Sequence, residues 1–179
     1  SVMLPRANSA WAKQVNRAHI LSLLFYEGPL SRQAIAERTG LTSGAVSSIT
    51  KEMVAQGLIQ EIGEDQTAPP RVGRRSILID LVPNYGYALG MEIVSERIVL
   101  VCSNLKAEVI HKKELPYDPT SDAEAGLTQV SRLLEEFIAE LGVERNRLVG
   151  LGVGVPGIVD NVAGVILSAL HFGWKDTPI

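Results

Sequence analysis

One side of the segment 42–56 carries short hydroxyl side chains and an amine, groups that bind phosphates and the edges of bases. After Thr42, the residues that share this side at helical spacing are Ser43, Gly44, Ser47, Ser48 and Lys51. Small residues let a helix enter a major groove, where hydroxyls and amines meet phosphates and base edges. The pattern predicts a helix that reads DNA, although an ordinary three-helix bundle with a small-residue surface would have the same spacing.

A second group of candidate DNA contacts is cationic. Arg71, Arg74 and Arg75 flank Gly73 in a short basic loop. Such a loop can lie in a narrow minor groove, where the negative potential is strongest. Arg32, at the start of an earlier helix, completes the predicted DNA-binding set. A solvated basic loop without a partner is the alternative interpretation.

Helix signals predict how the first group is positioned. Apolar periodicity indicates a helix over 15–26, and a second helix over 32–39 follows the N-cap residue Ser31. Gly40 provides the left-handed residue that ends many helices. The third helix, 42–56, begins almost at once, which is the spacing of a helix-turn-helix. Its opposite side, formed by Val46, Ile49, Met53 and Val54, is expected to face the core.

Two strands predict how the arginines are positioned. Residues 58–63 and 76–81 have strand patterns, and the polar stretch 64–70 and the basic loop separate them. Helix, strand, loop and strand in this order predict a wing, so the first part of the chain is expected to be a winged helix-turn-helix.

Composition and charge are compatible with this interpretation. The net charge is −3, but residues 1–82 contain 9 Lys/Arg against 7 Asp/Glu, whereas the remainder contains 8 against 13. A positive front half is compatible with nucleic-acid binding. The chain shows no secretory signal and no apolar run long enough for a membrane span. Its lone Cys102, within an apolar strand pattern, is expected to be a buried thiol. These features predict a cytoplasmic, nucleoid-associated protein without membrane contact.

An ordered set of short motifs resembles the N-terminal domain of the ROK family, named for repressors, open reading frames and kinases. These motifs are Asn16-Arg17-Ala18-His19-Ile20-Leu21, Pro29-Leu30-Ser31-Arg32, Thr39-Gly40-Leu41-Thr42, Gly57-Leu58-Ile59 and Gly73-Arg74-Arg75. The resemblance covers most of residues 13–82. The family includes regulators of xylose and N-acetylglucosamine operons, so the resemblance implies a repressor of carbohydrate genes.

The back half has the pattern of an α/β lobe. Strands are predicted at 87–92, 97–102, 108–115 and 148–155, with a helix at 123–141. This order is similar to the first lobe of the actin and hexokinase fold, which is ribonuclease H-like and forms the second half of ROK proteins. The expected fold class is therefore α+β, with an N-terminal tail at 1–12, the winged helix-turn-helix at 13–82 and a partial ROK domain at 83–179.

One glycine motif in this lobe is predicted to be unrelated to nucleotides. Residues 152–157 match the spacing of a dinucleotide-binding loop, which must open a helix whose N-terminus holds the pyrophosphate. Pro156 interrupts the motif and residues 158–161 have an extended pattern. We therefore expect a buried strand that enters a tight loop.

Kinase chemistry is predicted to be lost. In ROK kinases an acidic residue precedes a glycine-rich phosphate turn, and the resemblance puts Glu92 in the acidic position. Val94 and Ser95 replace small residues, and Glu96 adds a charge that repels phosphate. The resemblance implies that the family's catalytic aspartate, its zinc-binding cysteine cluster and its second lobe would all follow residue 179. The chain is therefore expected to be a fragment without a catalytic residue, cofactor or metal. Any structural zinc would belong to the later part of the family domain.

The resemblance also implies a ligand site. Gly157 belongs to the family's early sugar-domain region, and His171 stands where many members have an asparagine close to the sugar. A histidine can still hydrogen-bond a hydroxyl. A surface histidine in an incomplete pocket is the alternative.

These observations lead to a preferred hypothesis and two alternatives. The preferred one is a sugar-responsive repressor that binds double-stranded, pseudo-palindromic operator DNA as a homodimer. The alternatives are a regulator that keeps ATP-dependent sugar kinase activity, and a constitutive DNA-binding or dimerisation module without a ligand.

Overall fold

The chain divides into two compact units, Ser1–Tyr85 and Gly86–Ile179. The computed structural model describes residues 9–66, 75–94, 96–120 and 122–179. No helix among these residues has both the length and the apolar character that crossing a membrane requires.

The first unit contains the predicted helices α1 (Ser9–Glu27), α2 (Arg32–Thr39) and α3 (Ser43–Ala55). The Ser31 side chain caps α2 by accepting a hydrogen bond from the Ala34 amide, and Gly40 ends that helix in the left-handed conformation. The start of α1 differs from the prediction, because residues 9–12 are helical rather than part of a tail. The prediction began at the first residue of the apolar repeat and gave no weight to the helix-forming alanines before it.

Strands β1 (Leu30–Ser31), β2 (Ile59–Glu64) and β3 (Ile77–Leu81) form an antiparallel sheet in the order β1-β3-β2. The pair β2 and β3 confirms the predicted wing strands. The two-residue β1 was not predicted, since a strand of this length has no period of its own and exists only because β3 lies beside it. The core between this sheet and the helices consists of fully buried apolar side chains, among them Ile20, Leu24, Ile35, Val46, Met53 and Ile79.

The second unit is built on a four-stranded sheet. Its strands are β4 (Tyr87–Val94), β5 (Arg97–Asn104), β6 (Val109–Pro116) and β7 (Leu148–Gly154), in the order β6-β5-β4-β7. Strands β4 and β7 are parallel, so the chain must cross over between them, and α4 (Ala123–Leu141) lies in this crossover. The predicted helix bounds agree with the structure, and Asp122 caps α4 by accepting hydrogen bonds from two amides.

A smaller antiparallel sheet completes the second unit. It comprises β8 (Ile158–Asp160), β9 (Val165–Ala169) and β10 (Trp174–Pro178) in the order β10-β9-β8. The extended pattern predicted β8, but β9 and β10 were not predicted. Trp174 anchors this sheet, because its ring is buried and its Nε1 donates to the Thr120 carbonyl at 2.8 Å. The core also holds Cys102, which is fully buried as expected.

Candidate nucleic-acid interface

Helix α3 presents two chemically different sides. Thr42 is its N-cap, and the Thr42 hydroxyl accepts a hydrogen bond from the Ala45 amide at 3.2 Å. Beyond the cap, the polar residues predicted to face outward are all exposed: Ser43, Ser47, Ser48 and Lys51. The structure thus confirms the predicted division of the helix, and contact with DNA stays a prediction for each of these side chains.

The opposite side of α3 packs into the core, with Val46, Ile49 and Met53 buried as predicted. Val54 is only half-buried. The helix is therefore held by its apolar side, which leaves the small polar residues accessible over its whole length.

The turn between α2 and α3 has well-defined hydrogen bonds. Gly40 has φ 70° and its amide donates to the Ala36 carbonyl at 2.9 Å. The Thr39 hydroxyl donates to the Ile35 carbonyl at 2.7 Å and accepts from the Leu41 amide at 3.3 Å. These hydrogen bonds pair backbone carbonyl and amide groups that the end of α2 would otherwise leave without a partner, and they set the angle at which α3 leaves the turn.

Two side chains of α1 fix the far end of α3. Lys13 Nζ lies 2.6 Å from Glu52 Oε1, and Arg17 Nη2 donates to Gln56 Oε1 at 2.5 Å. The first pair also counters a carboxylate on the helix that is expected to approach DNA. Exposed pairs of this kind contribute little to stability, so their main effect here is on local charge and helix position.

Arg32 is engaged within the first unit. Its Nε donates to the Thr50 hydroxyl at 3.0 Å, and its Nη2 lies 2.9 Å from Glu61 Oε1. Thr50 is fully buried and its hydroxyl donates in turn to the Val46 carbonyl at 2.8 Å. Arg32 therefore links α2, α3 and β2. The sequence analysis missed Thr50 and Glu61, because nothing in their spacing indicates that they meet the same guanidinium.

The base of the wing is described, but its tip is not. The Asp65 amide donates to the Ser76 carbonyl at 2.8 Å, and Arg75 Nη1 donates to Gln66 Oε1 at 2.5 Å. Predicted contacts Arg71 and Arg74, with Gly73 between them, lie outside the described residues.

A cleft of about 330 Å³ lies between the base of the wing and the start of α2. Arg32 and Arg75 both line it, together with Ser31, Gln33, Ser76 and Ile77. The structure thus brings together two of the predicted cations from distant parts of the sequence, beside the first turn of a helix. Cations and free amides at a helix start both favour an anion such as a phosphate.

The second unit has a cleft of its own, of about 310 Å³. It lies where the parallel strands β4 and β7 end, since Glu92 and Gly154 are register partners. Glu92 and His171 both line it, with Ile93, Val94 and residues 154–156. Ligands of α/β sheets commonly bind at the carboxyl ends of parallel strands. The sequence analysis named both polar residues but did not predict that they share one cleft.

Gly157, the other predicted ligand residue, has a packing role. A Cβ at this position would lie 2.2 Å from the Ser168 carbonyl oxygen and 3.1 Å from the Ala169 Cα. The residues at 157 and 168 approach so closely that no larger side chain fits at position 157. This packing accounts for the glycine, and a ligand is not needed to explain it.

The glycine motif at 152–157 does not open a helix. Its residues run from the end of β7 directly into β8. The expectation of a buried strand was wrong, because β7 is exposed from Val149 to Gly154 and an apolar pattern alone does not show what covers a strand. The loop therefore lacks the helix N-terminus that holds a pyrophosphate in dinucleotide sites, as the sequence analysis expected. Within the described ranges, no three His, Cys, Asp or Glu side chains converge to form a metal site.

Comparisons with known proteins agree with this architecture. A family model described as winged helix-turn-helix DNA-binding matches residues 16–60. The crystal structure of a "ROK family transcriptional regulator, homolog of E.coli MLC protein" superposes with a TM-score of 0.71 at 21% identity, and it covers 92% of this chain and 41% of that one.

Sequence similarity extends through both units. A "putative xylose repressor" of Caldicellulosiruptor sp. (strain Rt8B.4) is 30% identical over 172 residues, which are 96% of this chain and 42% of that protein. The "DNA-binding transcriptional dual regulator NagC" of Escherichia coli (strain K12) is 29% identical over 159 residues, 89% of this chain and 38% of that protein. The chain is thus similar in sequence to these repressors and in fold to a ROK family regulator.

These sequence matches cover a limited share of each relative. The chain spans about two fifths of the length of the curated relatives that it matches. Their names describe repressors and regulators.

Proposed function

We propose that this protein is a sugar-responsive transcriptional repressor whose first unit binds double-stranded operator DNA. The observation that carries the proposal is the division of α3, whose small hydroxyl residues and Lys51 are exposed while Val46 and Met53 are buried. A helix of this kind, supported by a preceding helix and a tight turn, fits a major groove with its short side chains toward the bases.

In this proposal α3 reads the groove through Thr42, Ser43, Ser47, Ser48 and Lys51. Arg71, Arg74 and Arg75 bind the backbone or the minor groove through the wing. Arg32 positions α3 through Thr50 and shares the wing-base cleft with Arg75, so its role combines positioning with phosphate attraction. Contacts to phosphates orient the protein, whereas those of α3 provide sequence preference.

The second unit is proposed to sense the effector in the cleft of Glu92 and His171. A carboxylate accepts and an imidazole donates or accepts hydrogen bonds, which suits the hydroxyl groups of a sugar or sugar derivative. The relative named as a putative xylose repressor supports this class of effector. A sugar that binds one conformation better than another would shift the population that is competent for DNA.

We propose that the second unit does not transfer phosphate. Val94 lines the cleft at the position of the family's phosphate turn, and the exposed carboxylate of Glu96 follows two residues later. A bulky side chain and a negative charge both oppose the close approach of a nucleotide phosphate. Ser95, between them, lies outside the described residues.

Under this proposal the protein acts as a homodimer in the cytoplasm, where it associates with the nucleoid.

The test is selection of bound duplexes from a random pool, followed by anisotropy titration of the enriched sequences at two salt concentrations. We expect an enriched inverted repeat whose affinity falls steeply with salt, because phosphate contacts release counterions. A pool without enrichment, for a chain whose circular dichroism shows that it is folded, would contradict the proposal. ATP turnover with any sugar would instead support a kinase.

A further inference from the structure

Arg32 uses only part of its hydrogen-bonding capacity within the first unit. A guanidinium carries five N–H donors in one plane. The Nε–H is donated to the Thr50 hydroxyl at 3.0 Å, and one N–H of Nη2 is donated to Glu61 Oε1 at 2.9 Å. The other three, two on Nη1 and one on Nη2, have no acceptor among the described residues. Nη1 and Nη2 together form the end of the guanidinium fork, an edge that can bind two oxygens of one phosphate.

The wing-base cleft that Arg32 lines has the chemistry of a site for an oxyanion. Its described lining contributes two positive charges, from Arg32 and Arg75, and no negative charge. The other lining residues supply two hydroxyls, an amide and one aliphatic side chain: Ser31, Ser76, Gln33 and Ile77. Two guanidinium groups around one cleft attract a negatively charged ligand, and the hydroxyl and amide groups can donate further hydrogen bonds to its oxygens.

Thr50 and Glu61 hold Arg32 from outside this cleft, since neither of them lines it. Thr50 is fully buried on α3, and its hydroxyl is itself fixed because it donates to the Val46 carbonyl at 2.8 Å. Glu61 lies on β2 with its side chain 45% exposed. A long side chain loses rotamer entropy when a ligand immobilises it. Arg32 is already immobilised by these two contacts, so a ligand of the cleft does not have to order it.

We propose that Thr50 and Glu61 are positioning residues, which hold Arg32 so that it binds one backbone phosphate of double-stranded DNA in the wing-base cleft together with Arg75. This inference rests on the proposed function and adds a mechanism by which a carboxylate favours binding to a polyanion. A phosphate in this cleft lies between α2 of the helix-turn-helix and the base of the wing, two parts of the surface proposed to face DNA.

The proposal gives Glu61 two opposing effects on DNA binding. Its negative charge repels phosphates directly, whereas its hydrogen bond to Arg32 keeps the guanidinium in place for one of them. A glutamate that was only a surface charge would have the first effect alone. The sign of the change in affinity when Glu61 is removed therefore distinguishes a positioning role from a purely electrostatic one.

The first test measures the affinity of Glu61→Ala for a duplex of arbitrary sequence, which suffices because phosphate contacts carry no sequence information. We expect a loss of about threefold or more, the equivalent of one hydrogen bond, although the variant removes a negative charge. Glu61→Gln should restore the affinity, because its amide oxygen accepts the same N–H. The matched control is Glu64→Ala, which removes an exposed glutamate from the end of the same strand and should not lower the affinity.

The second test measures the phosphate contact through a salt series with Arg32→Ala. The plot of log affinity against log salt should flatten by about one unit. Adding Glu61→Ala to this variant should cause no further loss, because the carboxylate then has no guanidinium to position. A gain of affinity in Glu61→Ala, or an equal loss with and without Arg32, would overturn the positioning role. An unchanged slope in Arg32→Ala would overturn the phosphate site.

Further controls separate this inference from the proposed function and from a small-anion site. Circular dichroism checks that each variant is folded, and Arg32→Gln, whose amide keeps hydrogen-bond donors without the charge, replaces Arg32→Ala if that variant unfolds. Wild-type binding with unchanged variants overturns this inference alone, whereas a folded wild type that binds no duplex overturns the proposed function with it. If inorganic phosphate, compared with chloride at equal ionic strength, stabilises the wild type but not Arg32→Ala while the DNA slope is unchanged, the cleft binds a free anion and its assignment to DNA is wrong.

Discussion

At the scale of single residues, the structure separates groups that position from groups that are free to bind. Arg32 and Thr50 illustrate the first kind, because their hydrogen bond joins α2 to a buried hydroxyl of α3. The second kind is found on the exposed side of α3, at Ser47, Ser48 and Lys51. The types of these residues are apparent in the sequence, but which of them are engaged internally depends on contacts between elements that are distant in the chain.

Gly157 leads to a stability prediction at this scale. Gly157→Ala should lower the free energy of unfolding by about 1–3 kcal/mol, because the new methyl group would overlap the Ser168 carbonyl and force the backbone apart. Gly150→Ala is the control, since a Cβ there meets nothing within 4 Å. Urea unfolding of both variants checks the difference. Equal stability of the two variants would show that residues 157 and 168 separate without cost.

At the scale of elements, α3 and the wing are expected to contribute different parts of DNA binding. Replacing Arg74 and Arg75 by alanine should reduce affinity and flatten the plot of log affinity against log salt by up to about one unit per lost phosphate contact. Ser47→Ala should change sequence preference more than this slope, because a base-edge contact releases few counterions. The charge-matched control replaces Arg132 and Arg145, two exposed arginines of the second unit, by alanine. Anisotropy titrations over a salt series distinguish these effects, and an unchanged slope in the wing variant would remove the wing from the interface.

At the scale of the whole molecule, a buried thiol and a buried phenol in the second unit make its stability depend on pH in the alkaline range. Burial raises the pKa of the Cys102 thiol, and burial followed by the Asp118 carboxylate raises the pKa of the Tyr117 phenol. Both groups hold their protons more strongly when folded than when unfolded. The stability that they contribute is complete below their unfolded pKa values and is lost as pH rises through the folded ones.

We therefore expect stability to fall as the pH rises above about 9. Tyr117→Phe should make this fall smaller above pH 10, where the unfolded phenol would lose its proton. At neutral pH the variant should be as stable as the wild type or more so, because the Tyr117 hydroxyl is buried without a hydrogen-bond partner among the described residues. Urea titrations at a series of pH values test this, and an identical alkaline decrease in the variant would exclude Tyr117 as a cause.

The local sequence by itself determined the helices and most of the strands of both units. Caps such as Ser31 and Thr42, the left-handed Gly40 and the apolar period of 123–141 act within a few residues, so helices α2, α3 and α4 were predicted close to their observed bounds. The winged helix-turn-helix and the exposed side of α3 followed from the same signals.

Tertiary structure decided the features that depend on contacts across the chain. The strand β1 exists through its partner β3, and the cleft of Glu92 and His171 forms because parallel strands end side by side. The orientation of α1 is also a tertiary feature, because that helix has apolar residues on both sides and only packing decided that Ile20 and Leu24 are buried while Trp11 and Val15 are exposed. Short-range signals carry no information about which distant residues meet, because that choice depends on the free energy of burying one surface against another.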